Sequence, residues 1–137
     1  MILVDTGPLV ALFDPADGSH PHCLGILKTI KEPICTTTPV LTETFHLLSP
    51  GSTGCLRLMQ FVEQKGLIVW FMDERTLAHA FELMVTYADI PMDFADASLV
   101  AAAETLRLRT VFTLDRGDFD GYRVKRGHRH YPFHVIK

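Results

Sequence analysis

Short apolar runs of strand length, separated by segments with helical spacing of apolar residues, constrain this chain to a parallel α/β sheet with helices on both faces. Ile2–Val4 is such a run before the polar turn Asp5-Thr6-Gly7-Pro8, and Ile34–Thr37 has the β-branched content of a strand. Residues 67–71 and 110–114 read as two further strands, and 131–136 as an edge strand. Between them Pro8 opens a helix with Leu9, Val10, Leu12 and Phe13 as its apolar face, and Ser19 starts another. Pro39, Ser52, Asp73 and Asp93 mark the starts of the rest, the last running over 94–108, and a short turn is expected at 116–119.

At 137 residues the chain fits one domain over 1–137, long enough to bury about two thirds of the surface its unfolded form exposes. Hydrophobic residues at 47% and charged residues at 21% exclude a disordered chain. The longest apolar stretches are strand-length, so no membrane span is expected. The amino terminus lacks a basic leader, and the expected location is cytoplasmic. Cys23, Cys35 and Cys55 are widely spaced and suit neither a disulfide framework nor a zinc site. A net charge of −3 disfavours nucleic acid, but its distribution points the other way. Arg107, Arg109, Arg116, Arg123, Lys125, Arg126 and Arg129 crowd the last third, as a basic patch or a solvated tail.

Four acids sit where such a fold places chemistry. Asp5 and Asp115 each close an apolar run, and the ligand crevice of an open parallel sheet lies outside the carboxyl ends of its strands. Glu43 and Asp96 are embedded in apolar helical segments, Glu43 close to the inward face carrying Val40, Thr44 and Leu47 or Leu48. Such a cluster repels itself without a cation, and oxygen-only donors favour Mg²⁺ or Mn²⁺ working on phosphate esters. Competing roles remain. Asp5 could cap the first helix, although Thr6 is also placed to do so, and Glu43 lies in solvent if the register slips by one. Asp93 suits an N-cap with Asp96 as the N3 member of a capping box, and Asp118 and Asp120 suit a turn. Arg116 and Arg123 are candidate phosphate contacts or partners of the acids. The histidines show no ligand spacing. Asp5-Thr6-Gly7 matches the aspartic-protease triplet, but a helix-rich chain is wrong for that all-β enzyme.

The segments Ile2-Leu3-Val4-Asp5-Thr6, Thr38-Pro39-Val40-Leu41-Thr42-Glu43, Asp96-Ala97-Ser98-Leu99-Val100-Ala101 and Thr113-Leu114-Asp115-Arg116-Gly117-Asp118-Phe119 together resemble the PIN domain, and within it the VapC-like toxins. The resemblance spans nearly the whole chain and rests on the order and spacing of the four segments. It implies a three-layer α/β/α fold with a parallel sheet of about five strands, a homodimer, and a Mg²⁺- or Mn²⁺-dependent endoribonuclease silenced by an antitoxin. Its acidic site falls on Asp5, Glu43, Asp96 and Asp115. Asp118 matches the acid of an Asp-Phe pair, Asp93 a less regular acidic position, and Thr6 and Thr113 small supporting hydroxyls. The expected chemistry is metal-assisted hydrolysis, with Asp5 and Asp96 on a principal ion and Glu43 and Asp115 on a second ion or its water shell. A non-catalytic PIN-like binding module, and an RNA-processing nuclease that is no toxin, are the alternatives. The basic, histidine-containing tail after Tyr122 has no role in the family pattern.

Overall fold

A computed structural model describes residues 1–115 and 117–137. Strand β1 (Ile2–Val4) is buried on both faces and lies at the centre of a sheet ordered β3-β2-β1-β4-β7. Its neighbours are β2 (Ile34–Thr37) and β4 (Thr110–Phe112), with Leu3 level with Cys35 on one side and Val111 on the other. The outer strands are β3 (Ile68–Trp70) and β7 (His134–Ile136), and every pairing in this sheet is parallel. Parallel strands need crossovers, and helices supply them: α1 (Thr6–Phe13), α2 (His20–Thr29), α3 (Thr38–Leu47), α4 (Thr53–Glu63), α5 (Glu74–Thr86) and α6 (Phe94–Leu106). A short α7 (Asp118–Gly121) follows β4. Among the described residues no helix is long and apolar enough to cross a membrane.

Helix α6 differs from the others in being buried all round from Ala95 to Ala103. It packs on α3, α5 and β2, and its run of alanines lets those elements approach. Its polar members are satisfied locally: Ser98 Oγ donates to Ala95 O at 2.6 Å and shares a 2.6 Å hydrogen bond with Thr37 Oγ1 on β2. Helix α6 ends at Leu106, two residues short of the expected end at 108, and the left-handed backbone of its C-cap Arg107 (φ 56°) turns the chain into β4. All three cysteines are free and buried.

Several boundaries correct the sequence reading. Helix α1 begins at Thr6, ahead of Pro8, because Asp5 is the N-cap and Thr6 is already helical. In α3, Val40, Thr44 and Leu48 face inward and Leu47 is exposed. Helix α4 stops at Glu63 instead of Gly66, with Lys65 in the left-handed region at φ 65°. The single strand expected over 131–136 is two, because buried Phe133 breaks it: β6 (Arg129–Pro132) pairs antiparallel with β5 (Arg123–Arg126), and β7 joins the main sheet.

Two helical glycines are opposite cases. A Cβ on Gly54 in α4 would lie 2.5 Å from the carbonyl oxygen of Phe13, whereas one on Gly25 in α2 would meet nothing within 4 Å. Gly54→Ala is expected to destabilise the protein by about 1–3 kcal/mol through overpacking. Gly25→Ala is expected to stabilise it by about 0.5–1 kcal/mol through helix propensity. Paired thermal melts check the opposite signs, and a Gly54→Ala protein as stable as Gly25→Ala would refute the close approach of α1 to α4.

Candidate active site

The carboxyl ends of β1 and β4 and the first turn of α6 open onto a cavity of about 500 Å³. Its walls carry Asp5, Glu43, Asp93, Asp96, Asp115 and Asp118, so the structure brings all the acids singled out in sequence to one place, Asp120 excepted. Asp17 and Ser19, just before α2, also line it; the sequence marked Ser19 only as a helix start and gave Asp17 no role.

Asp5 is 8% exposed and held at both oxygens. Oδ1 accepts from the Thr6 amide at 2.7 Å, and Oδ2 accepts from Thr113 Oγ1 at 2.8 Å. The Thr113 hydroxyl in turn accepts from the Asp115 amide at 3.0 Å, so one buried threonine ties the carboxylate after β1 to the backbone of Asp115, which follows a β4 that stops at Phe112 instead of running to the expected 114. Capping and site-lining are thus one geometry for Asp5. Asp93 is the N-cap of α6, accepting from the Asp96 amide at 2.8 Å. Asp96 is 9% exposed and its side chain, instead of returning to the cap, accepts from the Tyr122 hydroxyl at 2.9 Å. Asp96, Asp115 and Asp118 each present a carboxylate oxygen within 4.8 Å of the other two. That grouping raises Asp118, a supporting residue in the sequence reading, to the centre of the site. Glu43 is exposed, one step off the inward stripe of α3, and reaches the cleft from its rim.

Electrostatics follow from the crowding. Burial, then Asp93 and Asp5, push the Asp96 carboxyl up to about 8 against a weaker opposing effect of Tyr122. Burial also raises Asp5, against its two hydrogen bonds, and Glu43, with Asp93 adding to the latter. The phenol of Tyr122 is itself pushed up by burial and by Asp96, which keeps it a donor. Among the described residues Thr6 Oγ1 is buried without a hydrogen bond of its own, although it lies close enough to Glu43 to favour the ionised carboxylate. An orphaned hydroxyl, oxygen donors alone and mutually repelling carboxylates fit a hard divalent cation, with Asp96, Asp115 and Asp118 as the residues to hold it.

Tyr122 was missed in sequence, since its partner lies 26 residues away and its neighbours look like a basic tail. Arg123, expected on substrate phosphate, is not in this cleft: its Nη1 donates to the carbonyls of Asp120 and Tyr122 at 2.8 Å, and it borders a separate depression with His79 and Glu104. Arg116 lies outside the described residues.

Fold and cleft define an α/β protein with an acidic centre at the carboxyl edge of a parallel sheet. The chain belongs to the PIN-domain family, whose model matches residues 2–125. It is 25% identical over 130 residues to ribonuclease VapC26 of Mycobacterium tuberculosis, an alignment covering 93% of this chain and 96% of that protein. In fold it is similar to the crystal structure of VapC20, a sarcin-ricin loop cleaving toxin of the same organism. The TM-score is 0.78 at 22% identity, covering 86% of this chain and 92% of the other. A toxin–antitoxin complex from Klebsiella pneumoniae gives a TM-score of 0.68 at 17% identity, covering 88% and 92%.

Two measurements follow. Asp96, Asp5 and Glu43 all hold a proton more tightly folded than unfolded. The stability Asp96 contributes is therefore fully present below its unfolded value of 3.8 and is lost as pH rises through about 8. Metal-free protein is expected to melt higher at acidic than at mildly alkaline pH, with the slope reduced by Asp96→Asn and by added Mn²⁺; a flat profile refutes the buried like-charge cluster. Tyr122→Phe keeps the ring and frees one Asp96 oxygen, and calorimetric titration with Mn²⁺ is expected to show affinity about tenfold weaker. Unchanged affinity would make Tyr122 a packing residue only.

Proposed function

We propose that this chain is a divalent-metal-dependent endoribonuclease, the toxin of a toxin–antitoxin pair, acting on RNA phosphodiester bonds. The observation that carries the reading is the convergence of Asp96, Asp115 and Asp118 within 4.8 Å, in a chain of the PIN family aligned over nearly its whole length with a relative named a ribonuclease.

Asp96, Asp115 and Asp118 would hold Mg²⁺ or Mn²⁺, while Asp5 and Glu43 hold a second ion or the hydration shell of the first. When bound, such an ion lowers the pKa of water and offsets the negative charge that grows on the phosphoryl oxygens. The chain's own work is orientation. Thr113 fixes Asp5 and the backbone of Asp115, and Tyr122 fixes one Asp96 oxygen. Burial of Asp5 and Asp96 keeps these carboxylates in a poorly solvated wall, where their attraction for a cation exceeds that of exposed acids. Glu43, at the solvent rim with its proton affinity raised, is placed to accept a proton from water entering there.

The likeness to a toxin–antitoxin complex supports an antitoxin protein as partner, and the family resemblance supports a homodimer. A mixed RNA pool incubated with purified protein in Mg²⁺, Mn²⁺ or EDTA tests the reading, alongside Asp96→Asn and Asp118→Asn. Cleavage that requires metal and falls at least about a hundredfold in both variants is expected. Cuts that persist in EDTA or in both variants would assign the activity to a contaminant. No cutting in any metal would leave a PIN-fold binding module.

A further inference from the structure

We infer that the β5–β6 hairpin is a docking surface for single-stranded RNA flanking the cleavage site; the choice of RNA as the polyanion rests on the ribonuclease reading. Residues 123–130 carry Arg123, Lys125, Arg126 and Arg129 with no acid among them, and 125–130 are all exposed. Among the described residues no carboxylate forms an ion pair with Lys125, Arg126 or Arg129. The register sets Arg126 directly opposite Arg129, a like-charge pair that weakens a hairpin, in a two-stranded ribbon of a kind that is marginal on its own. An arrangement that costs stability when free and loses that cost beside a chain of phosphates fits polyanion binding.

Position supports the same occupant. The hairpin begins one residue after Tyr122, whose hydroxyl holds Asp96 in the acidic cleft. From there β5 runs along α6 toward its C-terminal end, where Arg126 Nη2 donates to Arg107 O at 2.8 Å. At strand rise it reaches about 13 Å from the cleft wall. The hairpin is firmly mounted: Val124 is fully buried, the Lys125 amide donates to Glu104 at 3.1 Å, and the Arg109 guanidinium stacks on Tyr131 at 4.7 Å while bonding Pro132 O. A rigid basic rail starting at an acidic cleft gives an RNA strand attachment beside a site whose own charge repels it. The exposed side chains of 125–130 are cationic or imidazole with no aliphatic residue among them, a surface matched to phosphates more closely than to the apolar core of a protein interface.

The test is fluorescence anisotropy in EDTA, so that no cleavage intervenes. The probe is a labelled single-stranded RNA of about 20 nucleotides, longer than a typical single-strand site. Lys125→Ala/Arg126→Ala/Arg129→Ala is expected to bind at least about tenfold more weakly and to flatten the plot of log affinity against log salt by about 2. Lys125→Gln/Arg129→Gln, which keeps the Arg126 bond to α6, is expected to flatten it by about 1 and guards against misfolding of the triple variant. Wild-type affinity and slope in both variants, or no binding by the wild type, would overturn the inference even if metal-dependent cleavage stands. Polyglutamate of equal charge competing as well as unlabelled RNA would overturn it in favour of an acidic protein. Binding through the hairpin by a protein that never cuts would remove the ribonuclease reading and keep the docking surface.

Discussion

Carboxylates at the carboxyl edge of the sheet repel one another, and much of the local structure is arranged around that repulsion. Asp96 is nine-tenths buried beside Asp93, Asp5 and Asp115, a placement that disfavours its charged form. Among the described residues the neighbour acting the other way is Tyr122, a neutral donor that relieves one oxygen without neutralising the charge. A core that spends a buried tyrosine on orienting an acid, where an Arg or Lys would cancel its charge, leaves that acid's charge available to a cation. Thr113 does the same for Asp5, as a neutral hydroxyl.

The sheet makes this crowding unavoidable. Strand β1 sits between β2 and β4 in parallel register, so the chain leaves β1 and β4 on the same edge and Asp5 and Asp115 emerge together. Three-residue strands give little length for error, and the Asp5 amide extends the β4 pairing by donating to Phe112 O at 2.9 Å. Helix α6 brings Asp96 to the same edge because it is buried all round: alanine at Ala95, Ala97, Ala101, Ala102 and Ala103 lets surrounding elements close over it. A bulkier α6 would hold its neighbours away and open Asp96 to water, weakening the raised proton affinity that marks the site.

Legibility in the sequence tracked how local the determining interactions are. Ile34–Thr37 was read to the residue, and Ser52 and Asp73 cap their helices as their positions suggested, because strand content and caps are properties of adjacent residues. The strand-end acids were legible for a related reason, since a polar residue closing a buried run has only the crevice to occupy. Glu43 was placed nearer the inward face than it lies: a single position on a helix shifts a side chain by 100°, and apolar spacing alone does not fix that angle. The hairpin was illegible because Arg123–Arg126 and Arg129–Pro132 lack apolar alternation and owe their pairing to Val124 docking on α6 and to Phe133 seating beside Phe119 at a ring separation of 5.3 Å. Tyr122 and the fate of Arg123 were hidden likewise, both decided by partners that only the folded chain brings near.

Net charge conceals the most consequential feature of the surface. A chain at −3 has little overall attraction for nucleic acid, yet its charges are sorted, acids into the cleft and cations onto a ribbon beginning beside it. Across a few ångströms such sorting matters more than the sum, because screening confines each patch's field to about a Debye length, roughly 8–10 Å at physiological salt. An anionic strand approaching the cleft without a cation meets repulsion; approaching along β5 it meets attraction first. A divalent cation bound among Asp96, Asp115 and Asp118 would cancel part of the cleft's negative charge and lower the repulsion met by a strand held on β5. Loading of the acidic site and binding of the strand are then coupled through charge alone, with no conformational change required of the protein.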